Sequence, residues 1–407
     1  MARILLLTPQ LPYPPHQGTS LRNFHLLRAL AERHEVTLLS FAEDDRPADV
    51  ARLSELARVL PPLPVPPRTT GQRLRQLLTT SAPDMALRLR SGAFSEALTG
   101  ALHTAQFDAV QIEGIELAWT IPTVRATGSR ARLVLDCHNA ETELQRRALR
   151  GDRSRPARWP AAAYSAIQVG RLARFEREAL AAADVVIAVS EEDRRQLMAL
   201  VGHERPVAVI PNVIDVQAYR WQTPVPDECR FDLVFTGKMD YRPNVDGVLW
   251  FAEAIWPLVR RQRPDATWAI VGQRPHPRLA ALREQPGITL TGRVEHVQPY
   301  LAGAGVYVLP LRIGSGTRLK LIESMAAGCT VVSTTIGAEG FALDDGGEAI
   351  LADTPEAFAA AVLGLLDDPA RRAAMGTRAQ AFAAQYDWRR VAPLLNEVYD
   401  RLLANRR

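Results

Sequence analysis

The feature that most constrains the fold of this chain is the regular alternation of short apolar segments with longer amphipathic ones. Apolar segments of strand length occur in the first half at 3–8, 36–41, 107–112, 132–137 and 184–189. In the second half they occur at 207–210, 232–236, 267–271, 288–290, 306–310 and 330–334. Strands that alternate with helices form βαβ units, in which helices cover both faces of a parallel sheet. The chain has 407 residues, which fits two doubly wound α/β domains.

We place the domain boundary after the helical pattern of 191–200, near Gly202–Pro206. The prediction is an amino-terminal domain over residues 1–203, a carboxyl-terminal domain over 204–385 and a final segment over 386–407. Within that segment one apolar helical stripe is formed by Trp388, Val391, Leu394, Leu395, Val398, Tyr399 and Leu402. We therefore expect a carboxyl-terminal helix that packs back on the amino-terminal domain.

A glycine-rich loop interrupts the stretch from Val306 to Phe341 (VYVLPLRIGSGTRLKLIESMAAGCTVVSTTIGAEGF). The pattern reads as a strand, a glycine turn, a helix over 318–327 and a second strand. Backbone N–H groups at such a helix start favour an anion. Arg318 and Lys320 place cations where the helix dipole alone would favour acids, which suggests a phosphate ligand from outside the chain. On an ideal helix these two residues are about 200° apart, so we expect one of them, Arg318, to reach the phosphate.

Composition excludes several classes of protein. The net charge is only +4 with a pI near 9.1, and no basic run is interleaved with aromatic residues, so nucleic acid is not an expected partner. Cys137, Cys229 and Cys329 have no C-x-x-C spacing, which predicts reduced cytoplasmic thiols and no zinc site. We expect neither a signal peptide nor a membrane-spanning segment.

The segment from Gln145 to Arg177 is strongly basic, with nine arginines against two acids, Asp152 and Glu176. One interpretation is a solvated helical hairpin. The other is a patch that meets an anionic membrane surface or a lipid-linked acceptor, as a peripheral protein on the inner face of the membrane would.

Four motifs, in order along almost the whole chain, resemble the family 4 glycosyltransferases. They are TPQLPYPPHQGTSLRNFHLLRALAERHEVTLL, ADVVIAVSEEDRRQL with VAVIPNVID, FTGKMDYRPNVDGVLWF and LKLIESMAAGCTVV. The resemblance implies the GT-B fold, with two Rossmann-like domains that face each other across a cleft. It further implies an acceptor-binding first domain, a second domain that binds a nucleotide-diphosphate sugar, retention of anomeric configuration, and no metal or other cofactor.

On the donor side, the resemblance assigns the nucleotide ribose to Glu323. The family's first glutamate is replaced by Ser315, so the usual sugar contact does not carry over. Lys238, after Gly237, matches a phosphate-binding arginine, whereas the family's second cation has no match at Pro243 or Asn244. Lys320 or Arg318 is expected to supply that missing charge, together with the N–H groups of Gly316 and Thr317.

On the acceptor and sugar side, His138 follows the strand 132–137 and matches the family's histidine near the transferred sugar. We expect it to hydrogen-bond that sugar at the carboxyl edge of the sheet. Gly18 lies before a helix predicted over 21–31 and permits close backbone approach to the ligand. Glu113 follows another strand and is also expected at this edge. The predicted catalytic residues are therefore His138, Lys238 and Arg318.

The sequence thus predicts a sugar transferase that uses a nucleotide-diphosphate sugar and a lipid-linked or saccharide acceptor. Two alternatives stay open: a GT-B sugar-nucleotide epimerase, and a non-catalytic sugar-nucleotide-binding protein, which Ser315 favours. A dehydrogenase is disfavoured because no G-x-G-x-x-G opens a helix. No D-x-D metal motif is found, since Asp344-Asp345 and Asp367-Asp368 are adjacent pairs.

Overall fold

The computed structural model describes residues 1–15, 18–42, 47–153, 159–201, 206–313 and 317–404. The chain divides into two compact units. The first comprises residues 1–213 and 388–407, and the second comprises 214–387. The predicted boundary after residue 203 lies outside the described residues, ten residues before the observed division (213 − 203). The segment 207–209 belongs to the first sheet and not to the second domain, because it pairs with Val185–Ala188.

The first unit is built on an entirely parallel sheet, whose central order is β3-β2-β1-β5-β6-β7-β8, with β4 paired to β2. The strands are β1 (Arg3–Thr8), β2 (Glu35–Ala42), β3 (Arg58–Val59), β4 (Leu63–Pro64), β5 (Ala109–Glu113), β6 (Arg132–Cys137), β7 (Val185–Ala188) and β8 (Val207–Val209).

Helices cover both faces of this sheet. In chain order they are α1 (Gly18–Ala31), α2 (Pro47–Ser54), α3 (Thr70–Thr79), α4 (Asp84–Arg88), α5 (Gly92–Thr104), α6 (Ile121–Ala126), α7 (Glu141–Arg153), α8 (Trp159–Ala182) and α9 (Glu191–Val201). Residues 84–104 form two helices, α4 and α5, and not one, because Ser91 caps the start of the second. The helices α7 and α8 pack on each other as a hairpin.

Alternating side chains of each strand enter two different cores. Leu5, Val110 and Leu133 join one apolar cluster, whereas Ile4, Ala109 and Val134 join the other. The second cluster also contains α1 and the final helix of the chain, which therefore cover the same face of the sheet.

The second unit has a six-stranded parallel sheet in the order β11-β10-β9-β12-β13-β14. Its strands are β9 (Phe231–Thr236), β10 (Trp268–Val271), β11 (Ile288–Gly292), β12 (Ala304–Leu309), β13 (Val331–Ser333) and β14 (Ala349–Leu351). Its helices are α10 (Arg242–Trp250), α11 (Trp256–Gln262), α12 (Gln298–Ala302), α13 (Leu319–Ala326), α14 (Pro355–Asp367) and α15 (Pro369–Ala383), with 3₁₀ turns such as Val216–Tyr219.

The last helix, α16 (Trp388–Ala404), belongs to the first unit and packs on α1. The second unit is therefore inserted into the first. Its two ends meet, since the Ile214 N–H donates to the Tyr386 carbonyl at 3.0 Å and the Val216 N–H donates to Asp387 Oδ2 at 3.1 Å. Among the described residues, no helix combines the length and the apolar character needed to cross a bilayer.

Candidate functional site

The helix after the glycine loop presents two charged side chains on one face. Helix α13 begins at Leu319, and Arg318 precedes it with φ −94° and ψ 89°. Because Arg318 is not helical, the predicted interval of about 200° between Arg318 and Lys320 does not apply. Lys320 and Glu323 are three residues apart within the helix and share a face, which points toward the carboxyl edge of β9.

Lys320 is held by acceptors from two other elements. Its ammonium donates to the Thr236 carbonyl at 2.9 Å and to Asn244 Oδ1 at 2.7 Å, and it lies 4.6 Å from the centre of the Phe235 ring. Burial lowers the pKa of this ammonium to about 7; Glu323 opposes the change and Arg318 adds to it. A bound anion would restore the charged form.

Gly237 makes room for that ammonium. Its φ is +154°, and a Cβ added there would lie 2.5 Å from Lys320 Nζ and 2.8 Å from Asn244 Nδ2. The Asn244 amide also donates to the Lys238 carbonyl at 2.8 Å. Asn244 stands near the position where the family's second cation is missing, and it binds the ammonium of Lys320 from α13.

Glu323 is oriented by a tyrosine. The hydroxyl of Tyr219, at the end of the 3₁₀ turn 216–219, donates to Glu323 Oε1 at 2.7 Å. Burial raises the pKa of Glu323, while Tyr219 and Lys320 oppose that rise. One carboxylate oxygen is thus fixed by the protein, and the pair of oxygens still offers acceptors for vicinal hydroxyl groups.

The other predicted donor-side residues differ in exposure and in contacts. Lys238 lies in the turn after β9, about a third exposed, with its Nζ 3.9 Å from Asp240 Oδ1. Thr317 packs against Gly340, and Arg318, which is half-buried, has its pKa lowered chiefly by burial. Ser315 and Gly316 lie outside the described residues.

In the first unit, polar side chains interrupt the apolar face that α1 and α16 cover. Glu113 of β5 is directly opposite Asp136 of β6, and both are fully buried. Asp136 accepts two hydrogen bonds of 2.9 Å from Arg22 of α1, whose guanidinium is also buried. Arg22 Nη1 further donates to the Ile210 and Pro211 carbonyls at 3.0 and 3.1 Å. This pairing compensates the burial of both charges.

His138 lies directly after β6 and is bonded to Glu113, with 3.1 Å between its Nε2 and Glu113 Oε2. Burial opposes the imidazolium, but the hydrogen bond to Glu113 and the negative charge of Asp136 outweigh it and raise the pKa of His138. Glu113 is not an exposed group at the sheet edge, since its carboxylate is buried against this ring.

Two further carboxylates fix the loop that carries His138. Glu176 of α8 accepts from the N–H groups of Glu141 and Thr142, both at 3.1 Å. Asp193 of α9 accepts from the Ala140 N–H at 3.0 Å. These contacts satisfy the open N–H groups at the start of α7, so the backbone beside His138 is held from two helices.

The cluster of Glu113, Asp136 and His138 has the donor types of a metal site, with ligand atoms within 4.8 Å of one another. Both oxygens of Asp136, however, already accept from Arg22. The guanidinium occupies the position that a cation would need, so this donor set does not fit a metal ion.

Gly18 is the first residue of α1, three positions before the predicted helix start, and is exposed. Several residues with clear roles at these sites were not predicted: Arg22, Asp136, Gln111 and Tyr219. The alternation in β5 and β6 carried a signal for two of them, because Gln111 and Asp136 stand at positions whose strand face is buried. A buried carboxylate such as Asp136 requires a cationic partner, which is Arg22.

Family models match both units. The Glycosyltransferase Family 4 model matches residues 17–218, and the Glycosyl transferases group 1 model matches residues 230–368. The chain is 33% identical over 227 residues to a phosphatidyl-myo-inositol mannosyltransferase of Mycolicibacterium smegmatis, covering 53% of this chain and 56% of that protein. It is 28% identical over 270 residues to a D-inositol 3-phosphate glycosyltransferase of Kineococcus radiotolerans, covering 57% of this chain and 60% of that protein. The chain therefore spans less than two thirds of either relative.

Solved structures share the fold over the whole length. Sucrose-phosphate synthase from Thermosynechococcus elongatus matches with a TM-score of 0.76 at 19% identity, covering 100% of both chains. HepE from Anabaena, solved with UDP and glucose, matches with a TM-score of 0.66 at 14% identity, covering 98% of this chain and 100% of that one. The predicted fold class, two Rossmann-like parallel-sheet domains of the GT-B type, is confirmed. The chain belongs to the family 4 glycosyltransferases.

Proposed function

We propose that this protein transfers a sugar, with retention of anomeric configuration, from a nucleotide-diphosphate sugar to a lipid-linked or saccharide acceptor. The observation that carries the proposal is the face of α13, where the Lys320 ammonium and the Glu323 carboxylate lie within one helical turn. A cation for a diphosphate and a carboxylate for ribose hydroxyls, side by side, are what a nucleoside diphosphate requires.

The same groups account for the chemistry. The bond between the anomeric carbon and the diphosphate oxygen breaks, a bond from that carbon to the acceptor oxygen forms, and the proton of the acceptor hydroxyl passes to the departing diphosphate. Lys320, Arg318 and Lys238 stabilise the negative charge that grows on the leaving diphosphate, so we propose that the enzyme needs no metal and no other cofactor. In the first unit, His138 hydrogen-bonds the transferred sugar.

The relatives support the acceptor classes that we propose. The Mycolicibacterium relative is a phosphatidyl-myo-inositol mannosyltransferase, and the Kineococcus relative is a D-inositol 3-phosphate glycosyltransferase. The first name supports a lipid-linked acceptor, and the second supports a polar acceptor that carries several hydroxyl groups. We propose that the protein acts in the synthesis of a cell-surface polysaccharide or glycolipid.

The test is a panel of UDP-, GDP-, ADP- and dTDP-sugars, with thermal shift and slow hydrolysis of the donor measured on the full chain. We expect one nucleotide family to stabilise the protein and to release its diphosphate, also in the presence of EDTA. Glu323→Gln should lose both responses, whereas Glu356→Gln, an exposed residue of α14, should keep them. The anomeric configuration of the product, read by NMR, tests retention.

Other outcomes would overturn the proposal in distinct ways. Conversion of the sugar without release of the diphosphate would indicate an epimerase. Stabilisation without turnover, even with crude lipid and saccharide acceptors, would indicate a binding protein. A metal requirement, seen as loss of release in EDTA and recovery with a divalent cation, would refute the metal-independent mechanism.

We further propose that the first unit contacts an anionic membrane surface from the cytoplasmic side. Helix α3 exposes Leu74 and Leu78, at 60% and 79%, beside the exposed Arg73 and Arg75. An apolar stripe flanked by arginines suits the interface of an anionic bilayer. In the basic segment 145–177, Arg146, Arg147 and Arg150 share one carboxylate, that of Glu143, so this part of the segment keeps a net positive charge that also suits an anionic surface. Residues 154–158 of the segment lie outside the described residues.

Sedimentation with vesicles tests this contact. We expect binding to vesicles that contain phosphatidylglycerol and none to pure phosphatidylcholine, with loss of binding in Leu74→Asp/Leu78→Asp. Substituting Arg146, Arg147 and Arg150 by glutamine should also weaken binding, because their net positive charge is lost. No binding to either vesicle would remove the membrane contact and leave the transferase proposal intact.

A further inference from the structure

We infer that Glu113 is a positioning residue, which fixes the imidazole of His138 and links it to the start of α1. This inference deepens the proposed function, because it rests on His138 as the group that meets the sugar. Glu113 was expected at the ligand-facing edge of the sheet, yet its carboxylate has no exposed surface. It acts through His138 and does not touch substrate.

The carboxylate of Glu113 is the centre of a hydrogen-bonded cluster. Its Oε2 is 3.1 Å from His138 Nε2 and, with the Asn23 amide oriented to donate, 2.9 Å from Asn23 Nδ2. The same amide donates to the Thr19 carbonyl at 3.2 Å. Glu113 therefore connects the ring of His138 with the segment that begins at Gly18, the two elements predicted to meet the sugar.

The other oxygen of Glu113 is anchored in the core. Gln111 Nε2 donates to Glu113 Oε1, and Gln111 Oε1 in turn accepts from the hydroxyl of Tyr399 in α16. Gln111 and Tyr399, the two residues of this hydrogen-bonded series, are both buried. A carboxylate with both oxygens bonded to rigid donors has one orientation, and it imposes that orientation on the ring.

This contact determines which ring nitrogen carries the proton. Burial and the charge of Asp136 raise the pKa of Glu113, whereas His138 and Arg22 oppose that rise. In its ionised form the carboxylate only accepts hydrogen bonds, so it selects Nε2–H of His138 and leaves Nδ1 outside this contact. The charged groups that influence the ring are Glu113 of β5, Asp136 of β6, Arg22 of α1 and Glu141 of α7. The carboxylates raise the pKa of His138 in spite of burial, and Arg22 opposes them.

The experiment compares the full chain with Glu113→Gln, which keeps the shape but removes the negative charge. Long-range ¹H–¹⁵N NMR of labelled histidine reports tautomer and pKa without any substrate, and His138→Gln assigns the signal. We expect Nε2–H and a pKa above 6.5 in the unsubstituted chain. In Glu113→Gln the pKa should fall by about one unit or more, since the carboxylate charge is lost.

Kinetics give the second measurement. Glu113→Gln should lower kcat about 10- to 100-fold while the KM for the donor changes less than about 2-fold. In a His138→Ala background the loss of kcat from Glu113→Gln should be much smaller, because the ring is the main route by which Glu113 acts. The matched control is Glu116→Gln, a nearby carboxylate paired with Arg88, which should retain the kcat of the unsubstituted chain.

Three results would overturn the inference: Nδ1–H or a pKa below 6.5 in the unsubstituted chain, an unchanged pKa in Glu113→Gln, or equal losses of kcat with and without His138. The first of these results is measured on the unsubstituted chain, so it decides the question even if Glu113→Gln fails to fold. If no donor is turned over, the NMR results still decide the role of Glu113, so failure of the transferase proposal is distinguishable.

Discussion

Raising the pH from 7 to 9 should weaken the binding of a nucleoside diphosphate by about 50-fold. The reason is Lys320, whose pKa burial lowers to about 7 in the free protein. A diphosphate beside the ammonium favours the charged form and raises this pKa on binding, so binding takes up a proton. Affinity is then fully present below pH 7 and is lost as pH rises through the pKa of the free protein.

The magnitude follows from the fraction of protein that carries the charge. With a pKa of about 7 that fraction is about one half at pH 7 and about one hundredth at pH 9. The ratio is about 50, or about 2.3 kcal/mol at 1.36 kcal/mol per tenfold change. It applies when the pKa in the complex lies above about 9, near the ordinary value of a lysine.

Isothermal titration calorimetry at pH 7, 8 and 9 measures this dependence, and heats in buffers of different ionisation enthalpy count the proton taken up. Lys320→Arg stays charged at every pH, so its affinity should be flat across the range. The corresponding nucleoside, without phosphates, controls for titration of the base. An unchanged affinity in the unsubstituted chain, or an equal loss in Lys320→Arg, would refute the reasoning.

Three further predictions concern contacts within each unit. Arg22→Met should lower the free energy of unfolding in urea by about 3–5 kcal/mol, because Asp136 is left buried and unpaired. The double variant Arg22→Met/Asp136→Leu should lose less of this free energy than Arg22→Met alone. Additive losses from the two single substitutions would contradict the pairing. Tyr219→Phe should weaken nucleoside diphosphate binding roughly 5-fold through Glu323, but should leave the affinity for the 2′,3′-dideoxy analogue unchanged in the same calorimetric assay. Leu395→Ala in α16 should lower the free energy of unfolding in urea by about 2–5 kcal/mol because the side chain is fully buried. Leu394→Ala, at a 41% exposed position, should change it by no more than about 0.5 kcal/mol in the same assay.

The strands were predictable where burial is continuous. β1 and β6 have the predicted bounds because every residue beyond the first is buried, so the apolar run coincides with the strand. β3 and β4 have two residues each and carry no periodicity. β14 pairs over three residues beside a Gly- and Asp-rich turn, and it also went unpredicted.

The candidate site was predicted less completely, because its contacts join residues that are distant in sequence. The spacing of Lys320 and Glu323 already placed them on one face, but assigning Arg318 to the helix hid that relation. The bond between Tyr219 and Glu323 spans more than a hundred residues and leaves no local pattern. By contrast, Gln111 and Glu113 alternate with Val110 and Ile112, which marks a polar stripe on a buried strand face.

The insertion of residues 214–387 between the two parts of the first unit sets an order on synthesis. The second unit is complete in one continuous stretch and leaves the ribosome before α16 does, so it can fold while the chain is still growing. The first unit cannot, because Tyr399 and the other side chains of α16 that cover its sheet are made only after the whole second unit. A transcript cut short after residue 387 would therefore yield a finished second unit attached to a first unit whose polar stripe and apolar face stay open to chaperones and proteases.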